Sequence, residues 1–196
     1  MFSIARKITE EVMHFEKTTV SLGLLASWAM VMGCATAPAT NVDRQNLRRD
    51  ADATLAEMVA RDPAVRDVTR TAPAYVVFPS VGKGGALVGG AYGKGILYEG
   101  GVATGYVSLE QASIGAQLGG QSFAELLVLR NPVDVDDVKS GHYTVGANLG
   151  VVVLSPEASA QKGFDSNASV FVLPRGGLMV DISINGQQLK YQSFSA

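Results

Sequence analysis

Hydrophobic and polar residues follow three different rhythms along this chain. From Val20 to Met32 the sequence VSLGLLASWAMVM runs thirteen residues without a charge. That is too short for a bilayer core, which needs about 20 apolar residues, but it fits the apolar stretch of a signal peptide with Lys17 on its positive flank. Between 43 and 61, Leu47, Ala51, Leu55, Met58 and Val59 recur at helical spacing with charge on the other face, which predicts an amphipathic helix. Asp62-Pro63 ends it, and Pro63 opens a second short helix carrying Val65 and Val68. From Ala74 onward the texture is one of short β-like runs broken by glycine: AYVVFP ended by Pro79, then ALVGGAYG, ILYE, VATGYVSL, ASIGAQLG and FAELLVLR.

Asn131-Pro132 starts another helix, with Asp134, Asp136 and Asp137 in its first turns and Gly141 as its C-terminal cap. HYTVGANLGVVVL, ASVFVLP, LMVDISI and QQLKYQ complete the strands, the last two joined by the hairpin pair Asn185-Gly186. The expected fold class is α+β, with N-terminal helices packed on a largely antiparallel, Gly-rich twisted β-sheet or barrel-like sandwich.

Composition narrows the classes. The chain has 196 residues, 47% hydrophobic and 17% charged, so it is a folded chain of about one domain. A net charge of −2 offers no bulk attraction for nucleic acid. Six arginines and six acids balance between Asp43 and Arg70, which favours packing of the helices on the core over lying at a membrane surface. Thirteen of the 22 glycines fall between Gly82 and Gly120, without a collagen period.

The lone cysteine carries the clearest motif. Val31-Met32-Gly33-Cys34 ends the apolar stretch as the bacterial lipobox does, an aliphatic residue three before and a small residue directly before a cysteine whose thiolate takes the lipid. The alternative is an ordinary secretory signal followed by a small cysteine. Residues 1–33 are thus read as a lipoprotein signal peptide, and because Glu10, Glu11 and Glu16 cancel Arg6, Lys7 and Lys17 ahead of the apolar stretch, a true start at Met13 is expected. Cys34 is the lipidation site, 34–42 a flexible tether and 43–196 one domain. Stable anchoring takes more than one acyl chain, palmitate-like in length. Ala35 resembles the residue that sends enterobacterial lipoproteins to the outer membrane, so the expected location is the bacterial cell envelope, on the periplasmic face. The anchor's partner is membrane lipid.

Other chemistry is thin. Walker and dinucleotide patterns both fail around Lys83 and Lys94, since Val88 and Val77 occupy the required first glycine and Leu87 the third glycine of the dinucleotide pattern. Two readings of Gly82-Lys83-Gly84 and Gly93-Lys94-Gly95 stay open: hairpin turns with solvated lysines, or backbone N–H nests at Gly84, Gly93 and Gly95 with Lys83 or Lys94 as counter-charge for a lipid phosphate. Gly120-Gln121-Ser122-Phe123-Ala124 approaches the nucleophile elbow, with Asp134 to Asp137 and His142 behind it, but the βαβ rhythm of a hydrolase is missing. Nothing unites Glu110 and Glu125 as a carboxylate pair. One cysteine and two histidines cannot furnish a usual four-ligand zinc site, and no cofactor or metal is expected.

The run from Ala72 to Leu129 resembles the SYLF domain family, lipid-binding modules of eukaryotic actin-patch proteins and of bacterial envelope proteins. The residues that carry the resemblance are Val77-Phe78-Pro79-Ser80-Val81, Gly84-Gly85, Val88-Gly89-Gly90, Gly93-Lys94-Gly95 and Ser113 to Gly119, continued by Gly141, Tyr143, Gly146-Ala147 and Arg175-Gly176-Gly177-Leu178. Gly105-Tyr106-Val107-Ser108-Leu109 stands where the family usually has Trp-Ser-x-Pro. The resemblance implies a non-enzymatic module that binds a phospholipid or other amphiphile; the actin binding of eukaryotic members does not carry over to a periplasmic protein. The alternatives are an envelope scaffold that binds another protein and, more remotely, a serine hydrolase.

Overall fold

The computed structural model describes residues 36–85, 88–114, 119–145, 150–154, 168–177 and 186–194. The chain is α+β. Helices α1 (Asn41–Arg61) and α2 (Ala64–Thr71) precede strands β1 (Ala74–Gly85), β2 (Val88–Glu99), β3 (Val102–Ile114) and β4 (Gly119–Leu129). Helix α3 (Pro132–Ser140) and strands β5 (Gly150–Val153), β6 (Ala168–Gly177) and β7 (Gln188–Ser193) follow. One sheet holds them in the order β5-β6-β4-β1-β2-β3-β7, antiparallel except for the β5–β6 pair. The sheet is open in strand order, not closed into a barrel.

The helices form where the spacing predicts. Thr40 caps α1 by accepting from the Asp43 amide at 3.1 Å, so the helix begins at Asn41, two residues earlier than expected. Asp62 accepts from the Ala64 amide at 2.9 Å and opens α2 behind Pro63. Gly141 closes α3 with φ of 75°, a left-handed conformation suited to glycine.

The strands are longer than the apolar runs suggest. AYVVFP does not stop at Pro79: a β-bulge between Val77 and Ser80 absorbs the proline, and β1 continues to Gly85. ALVGGAYG and ILYE likewise share the single strand β2. The tight turn lies instead at Gly100-Gly101, both with positive φ, between Glu99 and its partner Val102. Residue 178 to residue 185, which include the LMVDISI run and Asn185, lie outside the described residues, as do 115–118 of ASIGAQLG; Gly186 itself has φ of 79°.

Successive strand residues point to opposite faces, and both faces of this sheet are apolar. Ala124, Leu126 and Val128 of β4 join Tyr75, Val77, Ile96 and Phe171 under α1 and α2, where Ala51, Met58 and Val65 are buried. Phe123, Leu127 and Leu129 join Val76, Phe78, Leu109 and Val172 on the other side, beneath Val135 and Val138 of α3. Helix α3 touches both β4 and β7, although β1, β2 and β3 separate those strands, so the sheet curls around this second face. The segment 143–145 lines the free side of β7 through Val145 N to Gln187 O (2.9 Å) and Leu189 N to Tyr143 O (3.3 Å).

Candidate functional site

The two Gly-Lys-Gly triplets lie inside β1 and β2 and form neither hairpin turns nor turn-based nests. Register puts Lys83 beside Ala91 and Gln121, and Lys94 beside Ser80 and Ser108. Lys83 shares the curled, concave face with Val81, whereas Lys94 shares the helix face with Ile96. The two lysines therefore do not converge on one anion.

The glycines in these triplets divide in the same way. A Cβ on Gly95 would lie 2.5 Å from the Val77 carbonyl oxygen and 2.7 Å from Phe78 Cδ1. On Gly93 it would meet Val81 Cγ2 at 2.9 Å. These two glycines let β1 side chains pack across β2, a structural need that local sequence does not separate from a turn. Gly84 faces open surroundings, its nearest neighbour being Gly119 O at 3.6 Å.

Lys94 instead holds the N-terminal segment. Its Nζ donates to the Ala37 carbonyl at 3.2 Å, the Ala37 amide donates to Gln192 Oε1 at 3.3 Å, and the hydroxyls of Thr36 and Ser108 are 3.3 Å apart. Arg44 Nε donates to Pro38 O at 3.0 Å. Ala37 and Pro38 are buried. Of the flexible tether expected over 34–42, Thr36 and Ala37 bond to the sheet, Pro38 is held by Arg44 of α1, and 41–42 belong to α1. Cys34 and the signal segment 1–33 lie outside the described residues.

On the concave face, polar side chains sit where an apolar lining would be expected. Lys83 is 3% exposed, Gln111 8%, and Glu125 and Gln187 are fully buried. Gln187 Nε2 donates to Glu125 Oε2 at 3.0 Å, joining residues 62 apart in sequence. Burial pushes the Glu125 carboxyl up to about 7 from its ordinary value of 4.5, against the opposing effect of the Gln187 bond. Beside Gln111, a cavity of about 440 Å³ is lined by Ala91, Glu110, Ala112, Gly186 and Gln188. Glu110 belongs to the other face, where it takes a 2.7 Å bond from Lys190, so it makes no pair with Glu125.

The serine of the elbow-like motif lies in the interior of β4, between Gly82 and Gly176 on its neighbours, and not at a strand-to-helix turn. His142 is exposed, with Nδ1 3.1 Å from Ser140 Oγ. Asp134 takes a bond from Asn131 at the start of α3, the role read for it in the sequence. Among the described residues no group of three or more His, Cys, Asp or Glu side chains could hold a metal.

Sequence reasoning weighed Glu125 only as a partner for Glu110 and did not single out Gln187. The signal was present for Glu125: a carboxylate at the third place of FAELLVL, on the side shared by Phe123, Leu127 and Leu129. No family model and no curated protein matches the chain.

Proposed function

We propose that the protein is an envelope lipoprotein, acylated on Cys34, whose folded domain binds a phospholipid or similar amphiphile at the membrane surface without catalysing a reaction. The observation that carries this reading is the fixing of Thr36 and Ala37 on the sheet by Ser108, Lys94 and Gln192. Two residues of extended chain reach about 7 Å. An acylated Cys34 would therefore hold this side of the sheet against the headgroups, where a free tether would let the domain drift. The cavity beside Gln111 supplies room for part of a ligand, and the motif resemblance supplies the lipid class.

Mass spectrometry of the purified native protein tests the anchor. The expected mass is that of the chain from Cys34 with its acyl groups; an unmodified Cys34 in membrane-derived protein would overturn it. Flotation of the Ala35–Ala196 unit with phospholipid vesicles tests ligand binding apart from the anchor, and that unit is compact in its own right. Retention with vesicles is expected. Failure to float with any envelope phospholipid at low salt would remove the lipid-binding half of the reading.

A further inference from the structure

The Glu125 and Gln187 side chains are opposed in a way that one proton explains. Gln187 gives its Nε2 hydrogen to Glu125 Oε2, while the remaining oxygens, Glu125 Oε1 and Gln187 Oε1, are both buried and both without a hydrogen-bond partner among the described residues. Two acceptors left bare in an apolar interior have given up their bonds to water and gained nothing in return. A carboxylate cannot relieve them, because it has no hydrogen to give. A carboxylic acid can: its hydroxyl on Oε1 donates to the amide oxygen, and the acid and amide close a ring of two hydrogen bonds. We propose that Glu125 is protonated in the folded chain and pairs with Gln187 in this way, forming a pH-sensitive clasp that ties the start of β7 to β4 across the concave face.

The surroundings fit a neutral acid. Glu125 is flanked by Phe78 on β1 and Val172 on β6, and the shift of its carboxyl comes from burial, with no charged side chain contributing. The ionisable groups on the elements around this face are Lys83 on β1, Glu99 on β2, Tyr143 after α3, Tyr191 on β7, and Asp134, Asp136, Asp137 and Lys139 on α3, the lysine bonded to Glu99 at 3.2 Å. Tyr143 stays neutral near pH 7, since burial and then the two aspartates push it up to about 12. Gln187 is also a structural junction: its carbonyl accepts from Val145 N, and Val145 O accepts from Gly186 N, both at 2.9 Å. Ionising Glu125 strips one bond from the ring and leaves a buried charge, which loosens β7 and the segment 143–145 together.

The folded state holds this proton more tightly than the unfolded chain does. The stabilisation is therefore complete below the ordinary glutamate range and is lost as pH rises towards 7. Urea unfolding of the full chain from pH 5 to 8 is the test, with Glu125→Gln as the reference because a second amide restores a two-bond ring without a titrating proton. Relative to E125Q, the wild-type unfolding constant should rise by close to tenfold per pH unit between 5 and 7 and then flatten. Parallel pH profiles for the two proteins would overturn the clasp. An independent reading needs no variant: at pH 6, infrared spectroscopy of the native protein should show the carbonyl stretch of a protonated carboxyl that vanishes above pH 8. Its absence at pH 6 would overturn the proposal even if E125Q failed to fold.

Discussion

The two faces of the sheet handle polar groups in opposite ways. On the helix face the charged groups stay at the margins, where Tyr98 donates to Asp52 at 2.5 Å, Arg175 pairs with Glu57 and Lys94 reaches the Ala37 carbonyl, while the polar side chains buried there, Thr54, Ser108 and Ser169, are hydroxyls that stay neutral between pH 5 and 8. On the concave face Lys83, Gln111, Glu125 and Gln187 are enclosed by the curl itself. A polar group at a margin can keep part of its hydration, so its bond is worth little and costs little when broken. An enclosed one has given up water altogether, and its protonation state becomes part of the fold. The helix face should therefore be insensitive to pH between 5 and 8 and the concave face should not.

The apolar framework is common to both, and its loss gives the largest effects. Phe123→Ala on the concave face should cost about 3–5 kcal/mol and Met58→Ala under α1 about 2–5 kcal/mol, because both side chains are almost fully buried. Urea unfolding reads both. A much smaller loss for either would mean that its face can collapse around the cavity and is less tightly packed than the other.

A glycine pair separates packing from mere permissiveness. Gly95→Ala forces a methyl group against the Val77 carbonyl and the Phe78 ring and should cost about 1–3 kcal/mol or more. Gly82→Ala meets nothing within 4 Å and should be neutral or slightly stabilising, within about 1 kcal/mol, since alanine loses less backbone entropy. Comparable losses at the two positions would show that the strand, and not the contact across it, sets the requirement.

These contrasts also mark the limit of what could be read from the residues in order. The α3 boundaries were legible because Asn131-Pro132 and Gly141 act through their own backbone. The helix registers were legible because Ala51 and Met58 obey a period that any buried face imposes. Pro79 was misleading: alone it reads as a strand end, and only the register of two flanking strands shows a bulge. The same is true of Gly93 and Gly95, whose purpose is the volume of Val81 and Phe78 one strand away. The meeting of Glu125 with Gln187 was illegible for a stronger reason, since it depends on curvature accumulated over β1, β2 and β3.

Tyr98→Phe tests the pH contrast from the helix side. Removing the bond to Asp52 should cost about 1–2 kcal/mol, below the full value of a buried charged bond because Asp52 is exposed. Burial and Asp52 together push the Tyr98 hydroxyl far above its ordinary range, so it keeps its proton throughout pH 5–8. The loss should be the same at both ends of that range. A cost that changes with pH would move part of the pH sensitivity onto the helix face and break the contrast between the two.

Among the substitutions that remove a contact, the smallest effect on stability is expected at Lys94, and it bears most directly on the proposed anchor. Lys94→Met keeps an apolar stem over the sheet but removes the bond to the Ala37 carbonyl, at a cost of about 0.5–1.5 kcal/mol, near the lower end if the ammonium regains water when the segment lifts. Global unfolding should hardly register it, because Thr36, Ala37 and Pro38 keep their bonds to Ser108, Gln192 and Arg44. Local opening should register it clearly. Limited proteolysis within residues 36–40 should accelerate by about two- to tenfold, following the opening equilibrium, while cleavage elsewhere stays unchanged. An unaltered cleavage rate would mean that Lys94 does not secure the segment, and the support for a domain held close to the proposed anchor at Cys34 would then rest on Ser108 and Gln192 alone.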